Sequence, residues 1–286
     1  MQPAQVIEIQ TPKNFVLNGL WFGTTKPKRV IILVHGLFSS AFSMQPLVSE
    51  LVDDSTAVVT FNNRGHDTVA DVKQRVGTER KYHRAGAAHE VFTDCVDDID
   101  GALRFVRAQG IKNVYLAGHS TGCQKIVYYA HKTGARGVLG LILLAPLSDY
   151  AGDRKKPQLR KAIAVAKRMV KAGKAHELLP ADMWWHYVDA QRFLSLYTPD
   201  SIEEVFCYAQ PDKKPKIYTS VTKPMIAFFA GADEYSERPA EQLVEWFKHN
   251  TKSSRYASHV IKEVGHSFKG GEVQVVRYIL NWMNQK

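Results

Sequence analysis

Five residues near the middle of the chain, Gly118-His119-Ser120-Thr121-Gly122, constrain its fold more than any other stretch. An apolar run, Val114-Tyr115-Leu116-Ala117, leads into them, and residues 124–131 read as helix after them. Strand, tight turn and helix around a G-x-S-x-G pattern make an elbow that holds a serine hydroxyl out of a sheet. Its glycines suit a place where strand and helix approach too closely for a β-carbon. An ordinary strand-to-helix turn could carry the same five residues, so other parts of the chain decide whether Ser120 is a nucleophile.

Around this elbow the pattern predicts strands at residues 6–10, 29–34, 57–61, 139–145, 224–230 and 258–262, and a turn with a second strand over residues 14–22. Residues 29–34, Arg29-Val30-Ile31-Ile32-Leu33-Val34, are β-branched and continuous, as expected of a strand buried on both faces. Helices are predicted at 42–52, 91–109, 239–249 and 273–284; in the second, Val96, Ile99, Leu103 and Val106 recur at helical spacing. Residues 68–86 are polar and read as a loop with some helix. Alternating strands and helices imply a mostly parallel sheet covered on both faces by right-handed crossovers. Residues 147–221 interrupt the alternation and read as an inserted, mainly helical cap. The core then comprises residues 1–146 and 222–286.

In open α/β sheets, sites form beyond the carboxyl ends of the strands. The residues found there are His35-Gly36-Leu37, Asn63-Arg64-Gly65, Ser120, Asp149, Asp233 and His266. They include what acyl transfer needs: a nucleophile, a base, an acid to orient the base, and backbone donors for an oxyanion. Two carboxylates, Asp233 and Asp149, compete for the acid.

With His35-Gly36, Arg64-Gly65-His66, the elbow, Gly231-x-Asp233 and Gly265-His266 in this order, the chain resembles the α/β-hydrolase superfamily. The resemblance spans nearly the whole chain apart from the cap, and it implies the α/β-hydrolase fold. It also implies Ser120 as nucleophile, His266 as general base and Asp233 as the orienting acid, although some members place the acid where Asp149 stands. The oxyanion donors would be the backbone N–H groups of Thr121 and Leu37, with Phe38 as the alternative to Leu37. His35 and His119 are expected to be framework, Arg64 and His66 to tie their loop, and Glu234 to point away from the site. The implied activity is cleavage of a carboxylic ester of small-molecule size. Thioester, amide or C–C hydrolysis, acyl transfer and a non-catalytic ligand receptor on the same fold are the alternatives. The Gly118–Gln124 run and Asp233-Glu234-Tyr235 are similar to a serine-hydrolase group that includes fungal siderophore esterases. The Phe61-Asn62-Asn63-Arg64-Gly65-His66 segment is similar to bacterial cinnamoyl and feruloyl esterases.

The formal net charge is +10, and much of the excess sits in the cap, from Arg154-Lys155-Lys156 through Lys174. There Leu159, Ile163, Ala166 and Val170 fall on one helical face with basic residues on the others. Such a helix can lie on a membrane surface or attract anionic ligands, and a solvated outer face is the simpler expectation. No nucleic-acid-binding motif is present. Met183-Trp184-Trp185-His186-Tyr187 and residues 193–197 supply aromatics, making Trp184, Trp185 and Phe38 candidates for lining a pocket for a bulky apolar or aromatic substrate. Asp94, Asp97, Asp98 and Asp100 are expected on a solvated helix face with favourable charge at its start. Three scattered cysteines, Cys95, Cys123 and Cys207, make neither a disulfide framework nor a C-x-x-C metal site. No metal or cofactor is expected. Without a membrane-length apolar run or a secretory signal, a cytoplasmic enzyme is the expectation.

Overall fold

The continuous apolar run at residues 30–34 becomes a strand buried on both faces, and the other layers are arranged around it. A computed structural model describes residues 2–285. The first half contains β1 (Ala4–Gln10), β2 (Phe15–Phe22), β3 (Arg29–Val34), α1 (Gln45–Leu51), β4 (Thr56–Phe61), β5 (Ala70–Val76), β6 (Glu79–Ala85), α2 (Cys95–Ala108), β7 (Val114–His119), α3 (Thr121–Thr133) and β8 (Val138–Leu144). Four helices follow: α4 (Asp149–Asp153), α5 (Leu159–Lys171), α6 (Ala190–Tyr197) and α7 (Lys216–Thr219). The chain then closes with β9 (Met225–Ala230), α8 (Ala240–Asn250), β10 (Tyr256–Ile261) and α9 (Glu272–Asn284).

The strands form one sheet in the order β10-β9-β8-β7-β3-β4-β2-β5-β6, with β1 paired to β2. From β10 to β4 every neighbouring pair is parallel. The remaining pairs are antiparallel. Because side chains alternate across a strand, β3 feeds two cores. Val30, Ile32 and Val34 pack with Ile99 and Leu103 of α2, Ile126 and Val127 of α3, and Phe247 of α8. Ile31 and Leu33 pack with Leu47 and Leu51 of α1 and with Ile279 and Trp282 of α9. Burying each such aliphatic side chain is worth about 1.5–3 kcal/mol, so this strand alone anchors both layers.

Residues 68–86 depart from expectation. They form an antiparallel hairpin, β5–β6, with Lys73 opposite Tyr82 and Gln74 opposite Lys81. Its side chains are mostly exposed, with Val72 and Ala85 its buried apolar residues, so no two-residue apolar alternation marks it. Charged side chains along an outer strand also deter pairing with another chain.

Residues 147–221 leave the sheet after β8 and return at β9. They have an apolar cluster of their own, with Leu159, Ala162 and Ala166 of α5 against Trp184, Phe193, Leu196 and Tyr197. The buried face of α5 is thus rotated from the expected one: Ala162 is buried and Val170 is exposed. Residues 159, 162 and 166 follow the i, i+3, i+7 rule as well as the expected set does, and packing chose between them. Among the described residues, no helix is long and apolar enough to cross a membrane.

Candidate active site

Ser120 occupies the turn between β7 and α3 at φ 55°, ψ −126°. A non-glycine residue is strained there, and the strain persists only because the surroundings fix it. Its N–H donates to the Leu144 carbonyl at 2.9 Å, and its own carbonyl accepts from Cys123 N–H at 2.8 Å. Gly122 has to be glycine, because a side chain there would collide with the backbone oxygen of Val34. Strand β3, strand β8 and helix α3 together therefore hold the serine in place.

The loop after β10 brings His266 against His119, the residue before the serine. His119 Nε2–H donates to the His266 carbonyl at 3.0 Å, and the two rings lie 4.8 Å apart. Burial, and next the neighbouring His266, lower the His119 pKa to about 4, so its ring is neutral and acts as a donor to the His266 backbone. Asp233, in the turn after β9, places Oδ2 2.8 Å from His266 Nδ1; the two side chains are 5% and 10% exposed. That contact assigns the proton to Nδ1 and leaves the Nε2 lone pair available. Glu234 does not point away as expected. Its Oε2 accepts the His266 backbone N–H at 2.9 Å, so consecutive carboxylates hold the ring and the backbone of one residue. The ring of the exposed Tyr235 stands edge-on to His266 at 5.0 Å.

The loop after β3 lies against the serine. A β-carbon at Gly36 would stand 2.8 Å from Ser120 Cβ and 3.4 Å from its Oγ, so only glycine lets this backbone pass. Leu37 follows Gly36 in this loop, and Thr121 follows the serine at the start of α3. First-turn N–H groups of a helix have no partner within it, which leaves that of Thr121 available to a ligand. His35 fixes the loop from beneath: its Nδ1 donates to the Gly36 carbonyl at 2.9 Å. Burial, then the Lys125 charge, push its pKa down to about 3, so it stays neutral.

Insert residues meet this loop. Leu37 packs on the insert's apolar cluster, and the Phe38 ring contacts His186 at 4.8 Å and Trp185 at 6.1 Å. Trp184 turns inward between Phe193 and Tyr197, while Trp185 is exposed. Asp149, the other candidate acid, begins α4. Burial, with Glu203 next, raises its pKa to about 7.

Sequence reasoning missed a chain of buried charge beside the elbow. Lys125 of α3 pairs with Glu90 at 2.5 Å, and Glu90 meets Arg192 of α6 at 2.8 Å. Arg192 also pairs with Glu203, which accepts from Ser195 Oγ at 2.6 Å. All four charged residues are buried. Burial alone would raise the Glu90 pKa, but Lys125 and Arg192 outweigh it and hold the carboxyl below its ordinary value. Lys125 within an apolar helical stretch, Cys123 to Ala130, was the available signal. Asp97 and Asp98, expected in solvent, are buried as well. Arg64 donates to Asp98 at 2.7 Å and to Asp97 at 3.1 Å, which locks the loop after β4 onto α2.

The profile of the DUF1749 family, described as a protein of unknown function, matches residues 87–284. The chain belongs to this family. No curated protein matches it in sequence. Solved structures share the fold of this DUF1749 member at low identity. The α/β hydrolase GrgF from Penicillium sp. sh18 is 15% identical with TM-score 0.65, covering 98% of each chain. Esterase Pf2001 of Pyrococcus furiosus is 16% identical with TM-score 0.61, over 99% of this chain and 91% of that one. Est1E from Butyrivibrio proteoclasticus, in a structure with ferulic acid bound, is 15% identical with TM-score 0.61, over 98% and 100%. The fold is the α/β-hydrolase fold.

Proposed function

We propose that this chain is a serine hydrolase that cleaves carboxylic esters through an acyl-enzyme. One observation carries the reading. Ser120 is held on a strained elbow, and His266, whose carbonyl accepts from the adjoining His119, has its Nδ1 bound to Asp233 at 2.8 Å.

In this reading His266 Nε2 takes the proton from Ser120 Oγ as that oxygen bonds to the ester carbonyl carbon. Asp233 keeps the imidazole in the required tautomer and stabilises the imidazolium. Leu37 and Thr121 donate their N–H groups to the oxyanion. The tetrahedral intermediate collapses, the alkoxide leaves with the proton from His266, and the acyl group stays on Ser120. Water, deprotonated by the same ring, then releases the acid and restores the serine.

Residues 147–221 act as a cap in this proposal, supported by the packing of Leu37 and Phe38 against them. Phe38 and Trp185 favour an apolar or aromatic acyl or alcohol group, and a relative of the same fold binds ferulic acid. A fluorophosphonate probe should label the wild type and not Ser120→Ala. Labelling that is absent, or independent of Ser120, overturns the reading. A panel of p-nitrophenyl esters with methyl ferulate then ranks chain length against aromatic preference.

A further inference from the structure

Nine lysines and arginines, and no aspartate or glutamate, lie between Arg154 and Lys174. Set against a net charge of +10 for the whole chain, this segment carries nearly all of the excess. Three of the nine are paired: Arg154 with Glu237, Lys156 with Asp153 and Lys174 with Glu177. Lys155, Arg160, Lys161, Lys167, Arg168 and Lys171 are exposed and pair with no carboxylate among the described residues.

Five of these six lie on α5, where 160, 161, 167, 168 and 171 recur as one helical face opposite the buried Leu159, Ala162 and Ala166. At 1.5 Å per residue they form a cationic stripe about 16 Å long. The apolar face of the helix is already committed to the insert's own core, so the stripe is what α5 presents outward. Exposed apolar side chains stand nearby. The loop closed by the Leu178–Asp189 bridge exposes Leu178 (41%), Trp185 (59%) and Tyr187 (60%). Trp185 is tied to the start of the basic segment, its indole N–H donating to Asp153 at 3.4 Å and Lys156 Nζ lying 5.4 Å from its ring.

We propose that this face of the insert docks on an anionic lipid surface, with the stripe against the headgroups and Leu178, Trp185 and Tyr187 at their boundary with the acyl chains. Charge complementarity selects the surface, since cations near an anionic leaflet add their attractions and aromatic side chains settle at the interface. An aliphatic side chain among the anchors suits a bilayer better than a row of stacked bases.

The test is co-sedimentation of the full chain with vesicles of phosphatidylcholine containing about 30 mol% phosphatidylserine. Pure phosphatidylcholine vesicles are the control, and no ester is present. Binding is expected to the anionic vesicles alone and to vanish by about 0.5 M salt. Each neutralised cation should weaken it about fivefold. The variant R160Q/K161Q/K167Q/R168Q/K171Q should therefore lose more than about a hundredfold with an unchanged thermal midpoint. Should that variant fold poorly, K167Q/K171Q and the salt titration of the wild type carry the same test. Equal binding to neutral vesicles, no binding at low salt, undiminished binding by a folded variant, or tighter binding to a single-stranded RNA than to the vesicles would each overturn the proposal. None of these outcomes depends on whether Ser120 is a nucleophile.

Discussion

The carboxyl end of the sheet and the insert beside it are held by different means. At the sheet, backbone does most of the positioning of the serine: the amide of Ser120 bonds to Leu144, and Gly36 passes against the serine. The insert is joined to the core largely by side chains: Glu90 pairs with Arg192, Asp189 faces His89 at 3.1 Å, and Val205, Phe206 and Tyr218 pack into the main apolar core, beside a backbone bond from the Asp189 N–H to the Ala88 carbonyl. Backbone bonds are shared with the secondary structure and cannot be removed by one substitution, whereas ion pairs can. The geometry around Ser120 and the attachment of the insert should therefore be separable by mutation.

The largest separation is expected in the chemistry. Asp233→Asn should lower kcat on a reactive ester about 10⁴-fold with little change in thermal midpoint, as loss of the triad acid does elsewhere. Asp149→Asn should stay within about tenfold. Rates of the two variants measured side by side decide, and a larger loss in Asp149→Asn would transfer the acid's role to it.

Next comes the ion chain. Glu90→Gln leaves Lys125 and Arg192 underpaired and should cost about 3–5 kcal/mol in urea unfolding. Hydrogen exchange should accelerate first in α6, with β7 and β8 protected. Uniform acceleration across both regions would abolish the distinction drawn above.

Titration should act in opposite directions on two pairs of buried groups. His35 and His119, at the sheet, have pKa values lowered to about 3 and about 4 from an ordinary 6.5. Between those limits the unfolded chain binds more protons, so their contribution to stability falls as pH drops from 6.5. In the insert, Asp149 and Glu204 are raised to about 7 and about 8 from 3.8 and 4.5. Burial is the main cause for both. Here the folded chain binds more protons, so stability falls as pH rises through that window. Thermal midpoints followed across pH should show both limbs. Glu204→Gln should flatten the alkaline one and leave the acid one unchanged.

The smallest effect concerns the grip on His266. His119→Leu removes the donor to the His266 carbonyl and should cost about 1 kcal/mol. It should also lower kcat on a soluble ester about tenfold, without shifting KM. A KM change of similar size would mean that His119 meets substrate instead.

What the sequence revealed follows the same division. The elbow and the mostly parallel sheet were legible, and Asp233 and His266 were both singled out, because these readings depend on residues in or close to the ends of strands. The exposed hairpin was not, since its alternating residues are nearly all polar. Nor was the chain from Lys125 through Glu90 and Arg192 to Glu203. Pairing across such sequence separations leaves no local period, and single charges read by default as surface. Asp97 and Asp98 were misread for that reason, their partner Arg64 lying on a different element. Glu234 was misread because its acceptor role is toward a backbone amide, which no side-chain pattern records.

Leu37 and Phe38 belong at once to the backbone turn that faces Ser120 and to the packing of the insert. An insert transplanted from a relative would bring a different surface to those two side chains and shift the amide that precedes the Leu37 carbon atoms. Selectivity and turnover would then be inherited together, so a chimaera made to accept a new substrate has to carry its own residues 37 and 38 along with the insert.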